Sequence, residues 1–239
     1  MHSINENHRP DPESIRSMFG SIAQRYDLLN GILSLGRHRS WRRRAAAAAA
    51  PSPGATILDV ACGTGDLVRE LAGHMGPTGL VTGIDFCAPM IALAVTKPTN
   101  SSSAPMRYIV GDALTLPFAS DAFECTSIAF GLRNVANPEQ AIREMARVTA
   151  SGGRVLCLEF AVPRRRLTRT VVRLYESTVV PAIGGVLSRR DAYQYLRTSI
   201  GAFASPHEVR GMFEMAGLTA INTTEMNLGS VCLHVGLKP

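Results

Sequence analysis

From Ala55 onward, short runs of β-branched and aliphatic residues alternate with longer stretches whose apolar positions recur at helical spacing. The short runs predict strands at Thr56–Ala61, Leu80–Asp85, Arg107–Val110, Cys125–Phe130 and Arg154–Phe160. The intervals predict helices at Asp66–His74, Ala88–Val95 and Pro138–Val148. Pro138 suits a first helical turn, where its missing N–H would have no acceptor within the helix. Such alternation implies a parallel sheet with helices on both faces. Near the end the pattern changes. Ser205-Pro206-His207-Glu208 reads as a capped helix start, with the helix running to about Ala216 and stopped by Gly217. Two further runs, Ala220–Glu225 and Val231–Leu237, are joined through Asn227-Leu228-Gly229, and strands with so short a link must be antiparallel. The expectation is a doubly wound α/β fold: a mostly parallel seven-stranded sheet closed by an antiparallel C-terminal hairpin.

Before Ala55, the alanines Ala45–Ala50 follow Trp41-Arg42-Arg43-Arg44 and read as a helix end, stopped by Pro51-Ser52-Pro53-Gly54. Residues 1–50 therefore form an N-terminal helical segment, expected to fold over the pocket as a lid, and residues 51–239 form the main domain. Within that domain, residues 163–204 mix arginines with apolar residues and read as an insertion or cap. Lys97–Pro105 is polar and reads as a loop.

Composition narrows the setting. Of 239 residues, 46% are hydrophobic and 18% charged, as in soluble globular proteins. The longest apolar candidate, Val179–Leu187, is broken by Pro181, Gly184 and Gly185, far short of the roughly 18 residues a membrane span needs. Met1–Glu13 lacks the apolar core of a secretory signal. A cytoplasmic protein is expected. Cys62, Cys87, Cys125, Cys157 and Cys232 are odd in number and contain no C-x-x-C pair, so buried reduced thiols fit better than disulfides or a metal site. The net charge is +6, and arginines come in groups at Arg42–Arg44, Arg164–Arg166 and Arg189-Arg190. Nucleic acid and an anionic membrane surface both suit such groups. The lack of interleaved aromatics weighs against nucleic acid.

Candidate chemistry concentrates at the strand ends. In Ile57-Leu58-Asp59-Val60-Ala61-Cys62-Gly63-Thr64-Gly65-Asp66-Leu67 a buried strand enters a glycine turn and a helix follows. Ligands bind at such a turn, at the carboxyl end of a strand. Gly63 and Gly65 allow close backbone approach, and Thr64 offers an N–H or hydroxyl. Asp85 ends the next strand and can accept from both hydroxyls of an adenosine ribose. Asp112 and Ala113 end the third and can reach an adenine amino group and ring nitrogen. A dinucleotide fingerprint would need glycine at 68, where Val68 stands. With Asp59 before the turn, this favours a ligand carrying an ammonium group and no pyrophosphate. Together with the terminal hairpin, the pattern suits a Rossmann-like class I methyltransferase dependent on S-adenosyl-L-methionine.

The segment from Tyr26-Asp27 through Asn30, Ser34 and His38 to Trp41 resembles the N-terminal signature of the ubiquinone/menaquinone biosynthesis C-methyltransferases. Phe130-Gly131-Leu132-Arg133-Asn134-Val135 and Leu158-Glu159-Phe160-Ala161-Val162-Pro163 resemble two further segments of that family. Tyr193, Tyr195-Leu196, Ser199-Ile200 and Leu233-His234 fit it as well, so the similarity extends from about Met18 to the end. The chain departs from the family at Ala150-Ser151 (usually Lys-Pro), at Ala161 (usually Ser) and at Ala129 (commonly Ser), a position that lies against the cofactor in the family. The resemblance implies transfer of a methyl group to a ring carbon of a polyprenylated quinol, with the naphthoquinol demethylmenaquinol favoured over a benzoquinol. The insertion that mixes arginines with apolar residues is placed to cover the active site and touch the bilayer where such a substrate resides. The resemblance supports Thr64, Asp85, Asp112 and Ala113 as cofactor contacts beside Asp59, Gly63, Gly65 and Ala129.

A quinol carbon becomes nucleophilic when a ring hydroxyl loses its proton, so a base or a phenolate stabiliser is required. Arg133 and Asn134 follow the fourth strand and are candidates to stabilise the ring oxygens. An arginine is a poor base, and Arg133 could instead pair with Glu159 or Asp121. Tyr26, Asp27 and His38 come from the N-terminal segment, with His38 or Asp27 the candidate base. His38 and Trp41, spaced i, i+3, could equally be packing residues. A methyltransferase for another small aromatic molecule, or a non-catalytic S-adenosylmethionine-binding protein, would share much of this pattern.

Overall fold

The computed structural model describes residues 11–100, 102–163, 168 and 190–239, with the side chains of residues 190–194 excepted. Arg164–Arg166, Arg189, most of the 163–204 insertion and the side chain of Tyr193 lie outside the described residues.

Two helices precede the first strand, α1 (Pro12–Leu33) and α2 (Arg37–Ala49). Asp11 caps α1 by accepting from the Ser14 N–H at 3.0 Å. The alanine run closes α2, and Ala50 then turns left-handed at φ 41°. Five parallel strands follow with their helices: β1 (Thr56–Val60), α3 (Asp66–Met75), β2 (Leu80–Asp85), α4 (Ala88–Thr96), β3 (Met106–Val110), β4 (Phe123–Ala129), α5 (Pro138–Val148) and β5 (Thr149–Phe160). Then come α6 (Arg190–Ala202), α7 (Pro206–Met215) and the hairpin β6 (Thr219–Met226) and β7 (Val231–Leu237). The strands form one seven-stranded sheet in the order β3-β2-β1-β4-β5-β7-β6, parallel except where β7 meets β5 and β6.

Strand and helix limits agree with the hydrophobic pattern to within a residue or two, except at β5. That strand begins at Thr149 rather than Arg154, because Gly152 adopts φ 77° and the ladder with β4 shifts register between Phe123 and Cys125. A Cβ on Gly153 would lie 2.6 Å from the Glu124 carbonyl oxygen, so the bulge requires glycine there. The expected helix start at Ser205 is a full capping box: Ser205 Oγ accepts from the Glu208 N–H and Glu208 accepts from the Ser205 N–H.

The sheet separates two cores. On one face Ile57, Cys125, Leu156 and Leu158 pack with Trp41 and Ala45 of α2 and Val68 and Leu71 of α3. On the other, Leu58, Ile128, Val155 and Cys157 pack with Ile142 and Met145 of α5 and Phe213 of α7. Adjacent residues of one strand thus serve opposite cores, as the two-residue period demands. All five cysteines are buried, as expected of reduced thiols. Helix α1 lies across α4, with Ala23, Cys87 and Met90 at the contact. This places α1 above the carboxyl ends of the parallel strands. Among the described residues, no helix is long and apolar enough to cross a membrane.

Candidate active site

A cavity of about 1080 Å³ opens between α1, the turn after β1 and the turn after β4. Both turns carry left-handed non-glycine residues, Ala61 at φ 51° and Phe130 at φ 56°. Such conformations are strained for residues with a Cβ and persist only where the surroundings enforce them. Here the enforcement is close contact: a Cβ on Gly131 would stand 2.6 Å from Ala61 Cβ.

Asp59, Gly63, Thr64, Ala129, Tyr26, His38 and Arg133 all border the cavity. The remaining predicted residues are not among those lining it. The Asp85 carboxylate accepts from the Gly63 N–H and the Cys87 N–H, both at 2.8 Å, and so holds the glycine turn. Asp112 accepts from the Leu114 N–H at 2.9 Å, closing a local turn, and Ala113 packs against the α5-side core. Gly65 faces away from the cavity: a Cβ on it would meet Tyr108 Oη at 2.6 Å, so packing together with φ 75° requires glycine here. Gly63 differs, because its missing Cβ leaves space toward Tyr26, whose ring lies 4.0 Å away.

Asp59 is 1% exposed. Burial pushes its carboxyl up, the Ser127 hydroxyl donating at 2.7 Å pulls it down, and the nearby Asp85 raises it again, leaving a pKa of about 7. Burial likewise raises Asp85 above the ordinary carboxylate range, against its two backbone donors. Two buried acids beside the same turn, each held above the ordinary carboxylate range, make the site a receptor for positive charge.

Asp27 serves the turn through hydrogen bonds and an ion pair. Its Oδ1 accepts from Thr64 Oγ1 at 2.7 Å, and its Oδ2 pairs with Lys97 Nζ at 2.6 Å. Lys97 also donates to Thr64 Oγ1 at 2.8 Å and pairs with Asp66 at 2.7 Å, while Arg42 pairs with Asp66 at 2.9 Å. Burial raises Asp66, but Arg42 and Lys97 outweigh it and hold the carboxyl below its usual value. This network ties α1 and α2 to the glycine turn. Lys97, missed in the sequence, opens a polar loop and carries no periodic signal. Arg69 was missed as well: it caps the Thr64, Gly65 and Ala94 carbonyls at 2.7–3.0 Å, locking the turn to the end of α4.

On the far wall Arg133 forms the ion pair anticipated with Glu159, at 2.7 Å, with the two side chains 6% and 2% exposed. Asp121 pairs with Lys238 instead. The Arg133 guanidinium also donates to the Phe130 carbonyl and lies 5.3 Å from the Phe160 ring centroid. Its Nε is buried with no hydrogen-bond partner among the described residues. Asn134 accepts from Tyr195 Oη at 2.9 Å, and Tyr195 borders the cavity. Trp41, Phe130 and Phe160 pack against one another, tilted or edge-on, with centroids 4.6–6.2 Å apart, to form an aromatic wall.

His38 Nδ1 lies 2.5 Å from Ser34 Oγ. Burial, then the charge of Arg42, lowers its pKa, so the ring is neutral at pH 7. Burial raises the Tyr26 phenol, which remains protonated. His234 is remote from the cavity: it lies buried in β7 against Thr223 and Phe213, and its pKa falls to about 4.

The sheet order, with the cavity at the carboxyl ends of β1 and β4, is that of class I S-adenosylmethionine-dependent methyltransferases. The fold matches a methyltransferase of this class from Thermotoga maritima with TM-score 0.64 and 14% identity, covering 94% of this chain and 100% of that one. It matches another from Aquifex aeolicus with TM-score 0.59 and 17% identity, covering 95% and 97%. The chain itself belongs to the ubiE/COQ5 methyltransferase family, which it matches over residues 3–238. It is 41% identical to a demethylmenaquinone methyltransferase of Thermus thermophilus, over 93% of this chain and all of that one. It is 40% identical to a ubiquinone/menaquinone biosynthesis C-methyltransferase of Geotalea daltonii, over 95% and 97%.

Proposed function

We propose that this protein transfers a methyl group from S-adenosylmethionine to a ring carbon of a polyprenylated quinol, with demethylmenaquinol as the favoured substrate. The observation that carries the reading is one continuous cavity bounded by the glycine turn on one side and by Arg133 and an aromatic wall on the other. The names of the relatives supply the substrate class.

The residues fit the donor. The open space at Gly63 admits ligand backbone or sugar, and buried Asp59 faces the cavity with a carboxyl poised to ionise beside an ammonium group. Thr64 and Ala129 border the same space, and each Asp85 oxygen retains a lone pair for a ribose hydroxyl. Asp112 and Ala113 are assigned to the adenine end. The bound donor supplies a sulfonium-activated methyl group, already electrophilic, so the reading assigns no metal to the reaction.

The chain's own part is positioning, exclusion of water and handling of one proton. Trp41, Phe130 and Phe160 offer an apolar wall for the quinol ring. The orphan Arg133 Nε is a donor for the developing phenolate, and Glu159 keeps the guanidinium in place. Asn134, held by Tyr195, is assigned to the second ring oxygen. His38, neutral and beside the cavity, is the candidate base, and Tyr26 stays protonated as a donor. Asp27 is assigned to holding Thr64 rather than to proton transfer, since both its oxygens are engaged. The N-terminal segment is assigned as the lid through its described helices, α1 and α2. Cytoplasmic placement at the membrane's inner face follows from the substrate.

The test is methyl transfer from labelled S-adenosylmethionine by the purified protein, with demethylmenaquinol and a demethoxy benzoquinol as competing acceptors. Product one methyl group heavier from the naphthoquinol is expected. Donor binding without turnover of either would favour another acceptor, and no donor binding would overturn the reading.

A further inference from the structure

Two leucines break two rules at once. Leu35, in the turn between α1 and α2, has φ 49° and is 64% exposed. Leu228, in the turn between β6 and β7, has φ 60° and is 72% exposed. The left-handed region is unfavourable for a side chain with a Cβ, and water is unfavourable for leucine. The turns are distant in sequence but joined in space, because Arg37 Nη1 donates to Asn227 Oδ1 at 2.6 Å. Both leucines stand at the mouth of the large cavity. Val162, also exposed, lies beside them: the N–H of neighbouring Ala161 donates to the Ser230 carbonyl at 3.0 Å. Exposed Arg25, Arg37 and Arg197 surround the same mouth, and the hairpin brings Glu225 close to Gly229.

We infer that this rim docks the protein on an anionic phospholipid bilayer. Leu35, Leu228 and Val162 enter the acyl boundary, and the arginines meet the phosphate layer. Three protruding side chains fall well short of the roughly 800 Å² per partner that a stable protein interface buries, whereas point insertion into lipid has no such requirement. Docked this way, the cavity opens onto the bilayer, so a hydrocarbon-tailed acceptor enters without crossing water; this last consequence rests on the proposed function.

Flotation of the full chain with vesicles tests the docking. Wild type is expected to float with phosphatidylcholine–phosphatidylglycerol vesicles, more weakly with phosphatidylcholine alone, and to be released as salt rises. Asparagine tolerates the left-handed region, so Leu35→Asn combined with Leu228→Asn should melt at or above the wild-type temperature. Its vesicle partitioning should fall roughly 100-fold, about tenfold per leucine. Partitioning equal to wild type in the double variant would overturn the proposal. So would wild type that fails to float but sediments as a dimer that the substitutions dissociate, which would make the rim a contact between copies. Methyl transfer to a tailless demethylnaphthoquinol without vesicles reads the reaction separately: its failure strikes the proposed function and leaves the flotation result standing.

Discussion

Replacing Asp59 with asparagine should stabilise the free protein while weakening its hold on the donor. The native carboxyl has a pKa of about 7, raised from its ordinary 3.8 chiefly by burial. A raised acid binds its proton more tightly in the folded state. Below pH 3.8 both states are protonated and the group is neutral toward folding. Between pH 3.8 and 7 the folded state keeps a proton that the unfolded state has lost, so stability falls as pH rises. At about 1.4 kcal/mol per unit, the accumulated penalty above pH 7 is about 4 kcal/mol. Asparagine has the same shape, can still accept from Ser127, and carries no charge. Asp59→Asn should therefore melt about 10 °C above wild type at pH 8, taking 2–4 °C per kcal/mol for a chain of this size. The gap should close toward pH 4. Taking the difference between the two proteins removes every other titration from the comparison. Calorimetry with S-adenosylmethionine should show wild-type affinity rising with pH through 7, as the carboxylate forms, and a weaker, flat profile for the variant. A melting difference that is the same at pH 4 and pH 8, or a variant less stable at pH 8, would refute the account of the buried acid.

Glu159→Gln leaves Arg133 buried without its counter-charge and should cost about 3–5 kcal/mol, read as a lowered denaturation midpoint, together with a loss of turnover. Lys97→Met removes the cation shared by Asp27, Asp66 and Thr64; donor dissociation in stopped flow should quicken by about tenfold, and its salt dependence should flatten. Gly65→Ala places a methyl group 2.6 Å from Tyr108 Oη at φ 75° and should destabilise by about 2–3 kcal/mol in chemical denaturation. With a pKa below 6.5, His38 as base should give a rate that falls only at more acidic pH, and His38→Gln should abolish that acid limb in a pH–rate profile.

The strands, the helices and the position of the cavity were legible from the chain because they follow from local patterns. Alternation placed β1 through β4, the Asn227–Gly229 link made the last two strands antiparallel, and glycines after a buried strand marked a ligand-binding turn. The start of β5 was not legible, since a bulge depends on how β4 lies beside it. Within the site, residue types were readable but their tasks were not. Gly63 and Gly65 look alike in sequence, yet one opens onto the cavity and the other packs against Tyr108. The sequence offers Asp27 as a carboxylate on the N-terminal segment, but its bond to Thr64 joins elements far apart along the chain.

Element order, sheet class, the capping of α7 and the turn where a ligand can approach depend on neighbours along the chain, so local patterns carry them. Only the tertiary structure decided what depends on charge and burial across the chain. It brought Lys97 to Asp27 and Asp66, set Glu159 against Arg133, and withdrew Asp59 from water far enough to hold a proton near neutrality. The physical reason is that solvation and Coulomb energies depend on distance in space, which separation along the chain does not encode.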